Sequence, residues 1–571
     1  MEDSRRELTV VAVAAIIFLG CVFAPPYLMD DVDAVQAVIA RNMLESGDWV
    51  TARLDGVAYL EKSPLIYWMM AASFAIFGIH DWAARLPIAL SVVALVWVTY
   101  RFGRWAFGPK EGYFAGLALG TSLGLWLFTR ILIPDVVLTL TIALALWGML
   151  RALEGESRWS YVMAASIGAG LLLKGLIAAL FPVVAGAIYL VITRQDWRRL
   201  KPFSSLTIIL LIAAPWHVLA TLRNPPYLEF TLHSGPGEYR GFFWFYFFNE
   251  HLLRFLNLRY PRDYNTVPRY LFWLFHLIWF FPWSGFLPGL RKLSYREPTR
   301  AGRTRLLALC WLGFVLGFFT LSTTQEYYSM PAYPAFALLL GCVMARGERS
   351  RTIGVVSAVA GLAALAILIR VWGLPAPGDI SRSLTQNPEL YTLSLGHMGD
   401  LTIDSFAYLR LPLGIAAAAF LIGAMAAFCR SYEGMALMMV IFLHAARLAL
   451  VTFDPYMGSK PLADAYLASP PGRPVADGHL YPFSSVFFYT GMHAKLLNGR
   501  RQNLEYGSYA PGAPDVFLTD AQLGGVWRSP ERTYLFVEGP RVPEIEKAVG
   551  KETLHLVRES GGKYLFVNRM P

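Results

Sequence analysis

The polar residues best suited to chemistry in this chain lie directly after its first long apolar segment. Asp30, Asp31 and Asp33 come first, and a Glu61–Lys62 pair follows in the same connection. Carboxylates cost free energy beside hydrocarbon, so aspartates at the mouth of a membrane helix indicate a functional site. One of them can serve as the general base for an acceptor hydroxyl. Asp is also a favoured helix N-cap, and the motif alone leaves both interpretations open.

Other charged residues lie at the ends of apolar segments. Lys62 can bind a phosphate as a point charge, and Glu61 can bind a metal ion through oxygen. An interfacial salt bridge ahead of the helix-starting Pro64 explains the same pair without a ligand. Asp135 begins one apolar segment, and Lys174 stands at a turn between two others, where it can also be a snorkelling anchor.

An aromatic stretch over residues 242–260, FFWFYFFNEHLLRFLNLRY, is typical of a helix lying at a membrane interface. It carries Glu250, His251, Arg254 and Arg259. Glu250 and Arg254 have the i,i+4 spacing of a helical ion pair. A lone histidine in such a helix is more often structural than metal-ligating. The stretch therefore offers cations for a phosphate and one candidate metal ligand.

Composition places these residues in a membrane protein. Of 571 residues, 56% are hydrophobic, 14% aromatic and only 16% charged, which is too apolar for a soluble globular chain. Thirteen apolar runs approach the roughly 20 residues needed to cross the hydrocarbon core. The runs lie near residues 8–28, 83–100, 112–129, 135–150, 159–173, 175–193, 204–222, 269–287, 306–321, 331–345, 352–372, 407–428 and 434–452.

Basic residues predict the orientation, because Lys and Arg in short loops collect on the cytoplasmic side. With the N-terminus in the cytoplasm the basic loops alternate as required, so the net charge of +10 is a topology signal and gives no reason to expect nucleic acid. Residues 65–78 are assigned to a juxtamembrane helix, because counting them as a span would invert every later loop. The predicted periplasmic parts of this inner-membrane protein are loops 29–82, 223–268 and 373–406 and the tail 453–571.

The sequence predicts a transmembrane domain over residues 1–452 and a small α/β domain over residues 453–571. In the tail, SSVFFY, TYLFVEG and KYLFVN have the pattern of short strands, and PEIEKAV that of a helix. The chain contains neither a G-x-G-x-x-G nor a G-x-x-x-x-G-K-[ST] loop. A nucleotide cofactor or a nucleotide donor is therefore not expected.

Taken in order, the motifs resemble those of a known family. D-D-x-D through ARNMLESGDWVTARLDGVAYLEKSPLIYW, then TRxxxPD, LLLKG, FFNEHLLRF and YYSMPAYPAFALLLG are similar to segments of the bacterial protein O-mannosyltransferase-like superfamily. That superfamily includes the transferases that move 4-amino-4-deoxy-L-arabinose from undecaprenyl phosphate to lipid A. The resemblance covers about the first 350 residues. It implies a GT-C fold with many membrane helices and a polyprenyl-phosphate-sugar donor.

The resemblance also implies roles for acidic residues and for a histidine. The acidic motif of the first loop implies a catalytic base at Asp31, with Asp33 not separable from it, and Asp135 is a further catalytic candidate. Glu61 and His251 match positions that imply a divalent metal ion, zinc or magnesium.

Contacts to the donor phosphate are expected from Lys62, Lys174 and Arg259. The first two match the Glu-Lys and L-x-K-G motifs of the family. One departure is Thr324 in STTQEYYSMP, where the lipid A enzymes have a lysine. That phosphate contact is then absent or supplied by another residue.

The function implied is that of an integral membrane glycosyltransferase. It would transfer a sugar from a polyprenyl-phosphate donor, in one inverting step, to a lipid A, glycan or protein acceptor at the periplasmic face. The alternative is a transporter or flippase for a lipid-linked or anionic substrate, which needs ionisable residues near the bilayer midplane. His217, His276, His444 and Arg447 are the notable candidates within spans. Most polar residues lie at span ends instead, which favours the enzyme.

Overall fold

The apolar runs fold into a helical bundle, and the last part of the chain forms a sheet with flanking helices. The computed structural model describes residues 2–23, 26–262, 266–322, 325–348, 350–387, 391 and 393–569. Thr324, where the sequence departs from the family pattern, lies outside the described residues.

Helices dominate the chain up to residue 457. Proline begins some of them, as at Pro109 and Pro202, because its fixed φ and missing N–H suit the first helical turn. The helices are α1 Glu2–Phe18, α2 Gly20–Phe23, α3 Val32–Ser46, α4 Leu65–Phe77, α5 Asp81–Ala106, α6 Pro109–Gly120, α7 Leu123–Thr129, α8 Asp135–Leu153, α9 Trp159–Lys174, α10 Ile177–Thr193, α11 Pro202–Arg223, α12 Gly241–Phe243, α13 Arg269–Trp279, α14 Arg300–Leu321, α15 Tyr333–Ala345, α16 Arg351–Val371, α17 Arg410–Phe428 and α18 Tyr432–Met457.

Eight helices in the described part of the chain are long and apolar enough to cross a membrane. Two bent pairs, α6 with α7 and α13 with Trp283–Lys292, turn by 48° and 102° and raise the number to ten when each pair counts as one span. The chain is therefore a multi-pass membrane protein, as its composition predicts. The figure of thirteen spans stays a prediction, because α1, α9 and α10 have 17 residues or fewer.

Glycines allow neighbouring helices to approach closely. In α6, a Cβ atom at Gly112 would lie 2.5 Å from the backbone nitrogen of Arg104 and 2.7 Å from the carbonyl oxygen of Tyr100, both on α5. A Cβ atom at Gly341 of α15 would lie 2.5 Å from the carbonyl oxygen of Glu111 on α6. Small residues at such crossings allow close van der Waals packing, which holds membrane helices together.

The segment between α2 and α5 contains two helices and a hairpin. Strands β1 Arg53–Leu54 and β2 Val57–Ala58 pair antiparallel. Asp55 and Gly56 between them both have positive φ, as the Asp-Gly hairpin turn requires. Helix α4 has only 13 residues, too few to cross the hydrocarbon core, so the prediction of a short helix over residues 65–78 agrees with its length.

The C-terminal region adds strands and short helices. They are α19 Lys460–Leu467, β3 Arg473–Asp477, α20 Ser484–Thr490, β4 Lys495–Leu497, α21 Glu505–Ser508, β5 Phe517–Leu518, α22 Asp520–Trp527, β6 Thr533–Glu538, α23 Val542–Val549, β7 His555–Ser560 and β8 Lys563–Val567. The strand order is β5-β4-β3-β6-β8-β7. The first four of these run parallel, and β8 and β7 complete the sheet antiparallel.

Three of the four local predictions in the tail are confirmed. TYLFVEG contains β6, KYLFVN contains β8 and PEIEKAV lies in α23. The prediction of a strand at SSVFFY is wrong, because these residues form α20, which ends at Gly491 with φ 66°. A short apolar run has no periodicity that separates a buried helix from a buried strand.

We predict that Gly112→Ala destabilises the protein, because the added methyl group meets the α5 backbone, which cannot move aside as a side chain can. Overpacking of this kind costs about 1–3 kcal/mol. The matched control is Gly313→Ala in α14, where a Cβ atom would meet nothing within 4 Å. The apparent Tm of purified protein should fall for the first variant and hold or rise for the second. Equal melting of both would contradict the packing argument.

Candidate active site

The three aspartates of the first connection have different surroundings, beginning with Asp30, which is bound to the C-terminal region. Its carboxylate accepts hydrogen bonds from the Lys563 ammonium at 2.6 Å, the Ser459 hydroxyl at 2.5 Å and the Ser485 backbone N–H and hydroxyl at 2.9 and 2.7 Å. Because both of its oxygens accept hydrogen bonds, Asp30 holds the segment before α3 against β8, α20 and the start of α19.

Asp33 is buried in the first turn of α3, with 2% of its surface exposed. One oxygen pairs with the Arg85 guanidinium at 3.1 Å and accepts the Met29 N–H, and the other accepts the Leu132 N–H at 3.1 Å. Burial raises the pKa of Asp33, and Arg85, the two backbone donors and Arg130 oppose that rise. Asp33 therefore holds α3 against α5 and the α7–α8 connection.

Asp31 is the exposed member of the three. Its φ of 69° lies in the left-handed region, which a non-glycine residue rarely adopts. In the described part of the chain, its carboxylate has a hydrogen bond only from the adjacent Val32 N–H. The protein atoms packed around the carboxylate, which displace part of its water, and after them the Asp30 carboxylate, raise the pKa of Asp31 to about 6, while Lys563 acts in the opposite direction. Strain and an available carboxylate with this pKa are features of a catalytic base.

A chain of buried ion pairs lies beside this segment. Glu61 accepts a hydrogen bond from Arg259 at 2.8 Å, Arg259 also binds Glu250, and Glu250 binds Arg254 at 2.8 Å. Glu250 lies in a π-helix, Trp244–Leu253, a geometry often found at functional sites. Burial would raise the pKa of Glu250, but Arg259, Arg254 and Lys62 outweigh it and hold the pKa below its ordinary value.

The Lys62 side chain lies near Glu61, Glu250 and Arg254. The described residues provide no hydrogen bond or ion pair to its ammonium, which is half-buried. Burial, and then the Arg254 guanidinium, lower the pKa of Lys62, whereas Glu61 and Glu250 raise it. A half-buried ammonium that has no partner among the described residues is a candidate site for an anion, because an anion would supply the counter-charge that the ammonium lacks.

Asp135 and Lys174 are brought together as a pair. The Lys174 ammonium lies 2.5 Å from an Asp135 oxygen, and Asp135 has 1% of its surface exposed. The same ammonium lies 4.9 Å from the ring centre of Tyr328, whose hydroxyl accepts a hydrogen bond from Arg254 at 3.2 Å. Asp135 therefore neutralises Lys174 in this arrangement, and Tyr328 links the pair to the buried ion-pair chain.

Arg259 lies in the chain of buried ion pairs, and its guanidinium is bound by protein groups. Its guanidinium donates to Glu61, Glu250 and the Pro261 carbonyl. A direct contact with a donor phosphate, as predicted from the sequence, would require some of these bonds to open. In this structure Arg259 joins the two glutamates.

His251 does not have a free nitrogen for a metal ion. Its Nδ1–H donates to the Tyr246 carbonyl at 2.6 Å, and its Nε2 accepts the Leu176 N–H at 3.0 Å, which fixes a neutral tautomer. Burial lowers the pKa of His251. Glu61 is held by Arg259, and the described residues contain no group of three His, Cys, Asp or Glu side chains placed to hold a metal. The donor set therefore does not fit the expected zinc or magnesium ion.

Two tyrosines link the aspartate segment to the ion-pair chain. The Tyr481 hydroxyl donates to the Tyr59 hydroxyl at 3.4 Å, and Tyr59 donates to Glu61 at 3.1 Å. The Tyr481 carbonyl accepts the Asp31 N–H at 2.9 Å. The C-terminal region thus forms part of the site, which no local motif indicates.

Several further site residues were missed at the sequence level. They are Tyr59, Arg85, Arg130, Tyr328, Tyr481 and Lys563. For Arg130 and Tyr328 a signal existed, since they belong to the TRxxxPD and YYSMP motifs. Arg85 could have been noticed as a charge near the start of an apolar run.

Comparison with known proteins shows which proteins the chain is similar to. Residues 61–218 match the model of the dolichyl-phosphate-mannose-protein mannosyltransferase family. An undecaprenyl phosphate-alpha-4-amino-4-deoxy-L-arabinose arabinosyl transferase 1 from Pseudomonas fluorescens (strain Pf0-1) is 28% identical over 63% of this chain and 61% of its own length. The corresponding transferase from Pseudomonas aeruginosa (strain LESB58) is 30% identical over 53% of each chain. The chain thus spans between one half and two thirds of these relatives.

Solved structures extend the likeness to the whole chain. ArnT from Cupriavidus metallidurans, bound to undecaprenyl phosphate, superposes with a TM-score of 0.78 at 21% identity over 98% of both chains. An Archaeoglobus fulgidus oligosaccharyltransferase gives 0.50 at 11% identity over 99% of this chain and 74% of its own. These matches confirm the resemblance drawn from the motifs and the GT-C fold that it implies.

We predict that replacing Asp33 and replacing Asp31 by asparagine have different effects on the stability of the protein. Asp33→Asn leaves Arg85 buried without its counter-charge, which costs about 3–5 kcal/mol. Asp31→Asn replaces an exposed carboxylate that has no ion-pair partner among the described residues, so its apparent Tm should be unchanged or higher. Thermal melting of both purified variants measures this. An equal loss of Tm in the two would contradict the roles assigned here.

Proposed function

We propose that this chain is a glycosyltransferase that moves a sugar from a polyprenyl-phosphate donor to a membrane-associated acceptor. The observation that carries the proposal is the half-buried Lys62 ammonium, which has no hydrogen-bond or ion-pair partner among the described residues and lies close to Arg254. The exposed Asp31 is linked to this cluster through Tyr481, Tyr59 and Glu61. The printed functions of the similar transferases, which use undecaprenyl phosphate-linked aminoarabinose, support the donor class.

The cluster suits a leaving phosphate. The phosphate of the donor would bind at Lys62, near the Arg254 guanidinium. The Lys174 ammonium could contact the phosphate only if its pair with Asp135 opened. Preorganised cations stabilise the charge that develops on the leaving group without reorganisation during the reaction. Tyr328 lies between Arg254 and Lys174 and is placed to donate a further hydrogen bond to the phosphate.

The chemical step is a direct displacement. The acceptor hydroxyl oxygen attacks the anomeric carbon, and its proton passes to the Asp31 carboxylate. The bond between the anomeric carbon and the phosphate oxygen breaks, and the lipid phosphate leaves with the electron pair. Because attack and departure occur on opposite sides, the anomeric configuration inverts. Asp33 and Asp135 position Arg85 and Lys174 in this scheme, and neither is available as a base.

The proposal includes the side of the membrane on which the site lies. Thirteen crossings with a cytoplasmic N-terminus would place the site and residues 453–571 in the periplasm, where Lys and Arg are scarce in short loops. The acceptor class, a lipid, a glycan or a protein, would reach Asp31 from that side. Residues 453–571 act as a periplasmic domain that closes one side of the site through Tyr481.

The contacts of His217 and His276 give little support to the alternative function of a transporter or flippase. His217 Nδ1 lies 2.8 Å from the Ala213 carbonyl, and His276 Nδ1 lies 2.7 Å from the Phe272 carbonyl. Each histidine therefore bonds to the preceding turn of its own helix. We propose no second function.

We predict that Asp31→Asn lowers the transfer rate by about 10²–10⁴-fold, the usual contribution of a general base. In the unmodified protein, kcat/KM should fall about tenfold per pH unit below a pKa of about 6 and level off above it, because only the ionised carboxylate accepts a proton. Rates of sugar transfer in membranes across this pH range test both. Full activity of the variant would remove Asp31 from the mechanism.

We predict that Lys62→Met weakens binding of undecaprenyl phosphate about 10- to 100-fold, since a charge-assisted hydrogen bond contributes about 1.5–3 kcal/mol. Lys62→Arg should retain most of the affinity. The matched control is Lys110→Met at an exposed position, which should bind normally. Titration of the purified variants with the lipid, followed by native mass spectrometry, measures affinity. Unchanged binding by Lys62→Met would contradict the donor site.

We predict that dialysis against a chelator leaves the transfer rate within about twofold, because Glu61 and His251 are held by protein partners. The rate and the bound-metal content should be measured on the same sample. Loss of activity that zinc or magnesium restores would show that these contacts rearrange around a metal.

A further inference from the structure

A large polar cleft lies far from the candidate active site, where α8 ends and α14 begins. Charged and polar side chains line it: Glu154 directly after α8, Gln195, Asp196 and Arg199 in the α10–α11 connection, and Arg300 and Arg303 in the first turn of α14. Including the space at its mouth, the cleft has a volume of about 980 Å³. We call it the helix-end cleft.

The helix-end cleft and the candidate active site lie at opposite ends of the same helix. Helix α8 begins at Asp135, which binds Lys174 in the site, and its 19 residues end at Leu153 beside the cleft. At 1.5 Å per residue the helix is about 28 Å long, close to the thickness of the hydrocarbon core. Because α8 is apolar enough to cross a membrane, the cleft lies at the membrane surface opposite the site. In the orientation proposed above, this is the cytoplasmic surface.

Protein contacts hold two of the three guanidinium groups of the cleft in place. Arg300 pairs with Glu154 at 2.6 Å and lies 4.7 Å from the ring centre of Trp105. Arg199 donates from Nη1 to the Leu153 carbonyl at 2.7 Å, and its other N–H groups have no acceptor in the described part of the chain. These contacts fix the position of both groups and leave Arg199 with donors for a ligand.

The third guanidinium, that of Arg303, has no hydrogen-bond or ion-pair partner among the described residues. Arg303 lines the cleft and is only half-buried, so its donors can reach a ligand there. Together the lining side chains carry three positive and two negative charges, those of Glu154 and Asp196. A phosphate diester supplies the missing negative charge, and its two free oxygens suit the paired N–H donors of a guanidinium.

The surroundings of the cleft identify the carrier of that phosphate as a membrane lipid. Apolar side chains within and beside the α10–α11 connection are more than half exposed: Val191, Ile192, Trp197 and Phe203. Hydrocarbon covers such side chains more favourably than water does, and tryptophan is enriched at membrane surfaces. A glycerophospholipid can place its phosphate in the cleft and its acyl chains against these residues.

We propose that the helix-end cleft binds the headgroup of a phospholipid with a single negative charge, such as phosphatidylglycerol. This headgroup balances the surplus positive charge, whereas a zwitterionic headgroup adds an ammonium group that the surplus repels. Basic pockets between membrane helices at the cytoplasmic surface are known to bind anionic headgroups. The bound lipid would join the ends of α8 and α14 to the α10–α11 connection. This binding does not depend on the proposed transferase activity.

The test measures lipid binding to the purified full-length chain and requires no turnover. Protein carrying Lys62→Met, which removes the proposed contact to the donor phosphate, is titrated with dioleoyl phosphatidylglycerol, with dioleoyl phosphatidylcholine and with glycerophosphoglycerol, the same headgroup without acyl chains. Native mass spectrometry measures the bound ligand. Phosphatidylglycerol should bind saturably, about tenfold more tightly than either of the others.

Variants of Arg303 locate the binding. Arg303→Gln should weaken the binding of phosphatidylglycerol about 10- to 100-fold, because a hydrogen bond between charged groups is lost. Arg303→Lys, which keeps the charge, should retain most of the affinity. Arg303→Gln breaks no hydrogen bond among the described residues, so its Tm without lipid should equal that of the parent. Added phosphatidylglycerol should raise the Tm of the parent more than that of Arg303→Gln, because a ligand stabilises the native state that binds it.

The matched control is Arg351→Gln, at an exposed position where α16 begins, which should bind phosphatidylglycerol as the parent does. Equal weakening by Arg351→Gln and Arg303→Gln would mean general attraction to basic residues and would overturn the proposal. Unchanged binding by Arg303→Gln would also overturn it. Equal binding of phosphatidylcholine would mean lipid contact without recognition of charge, and equal binding of glycerophosphoglycerol would mean a site for a free phosphate diester; either result overturns the proposal.

Discussion

The site depends on the need to pair charges that are buried beside a membrane. Glu61, Arg259, Glu250 and Arg254 form one chain of ion pairs, contributed by the first connection and by the segment after α11. Removing any one would leave its neighbour uncompensated at a cost of about 3–5 kcal/mol. Because the two glutamates and the two arginines neutralise each other, the positive charge of Lys62 has no counter-charge left among the described residues. In the proposed function, the phosphate of the lipid donor supplies that counter-charge.

The same constraint separates the three aspartates. Asp30 is used by Lys563 and Asp33 by Arg85, so only Asp31 retains a carboxylate open to a substrate. Lys563 holds Asp30 and Arg85 holds Asp33. Asp31 lies between these two fixed residues, and its strained φ persists for that reason. In the proposed mechanism, Asp30 and Asp33 thus position Asp31, the proposed base.

Sequence patterns predicted helices and short motifs, but they did not predict contacts between residues that lie far apart in the chain. The helical residues and the gathering of Lys62, Asp135 and Lys174 followed from apolar runs and motif order. The partner of Asp30 lies 533 residues away at Lys563, and no periodicity connects the two. The pairing of Asp33 with Arg85 was equally hidden, which is why the sequence could not separate Asp31 from Asp33. The helix at SSVFFY was missed because burial by the tertiary fold, which a short apolar run does not encode, decided its form.

The central claim is that the surplus charge at Lys62 receives the phosphate of a polyprenyl lipid. An experimental structure of the full-length chain in a lipid nanodisc with undecaprenyl phosphate tests it most directly. The phosphate should lie within about 3 Å of the Lys62 ammonium, the distance of a charge-assisted hydrogen bond, with the Glu61–Arg259–Glu250 pairs intact. A phosphate bound elsewhere, with Lys62 left without contact, would contradict the account.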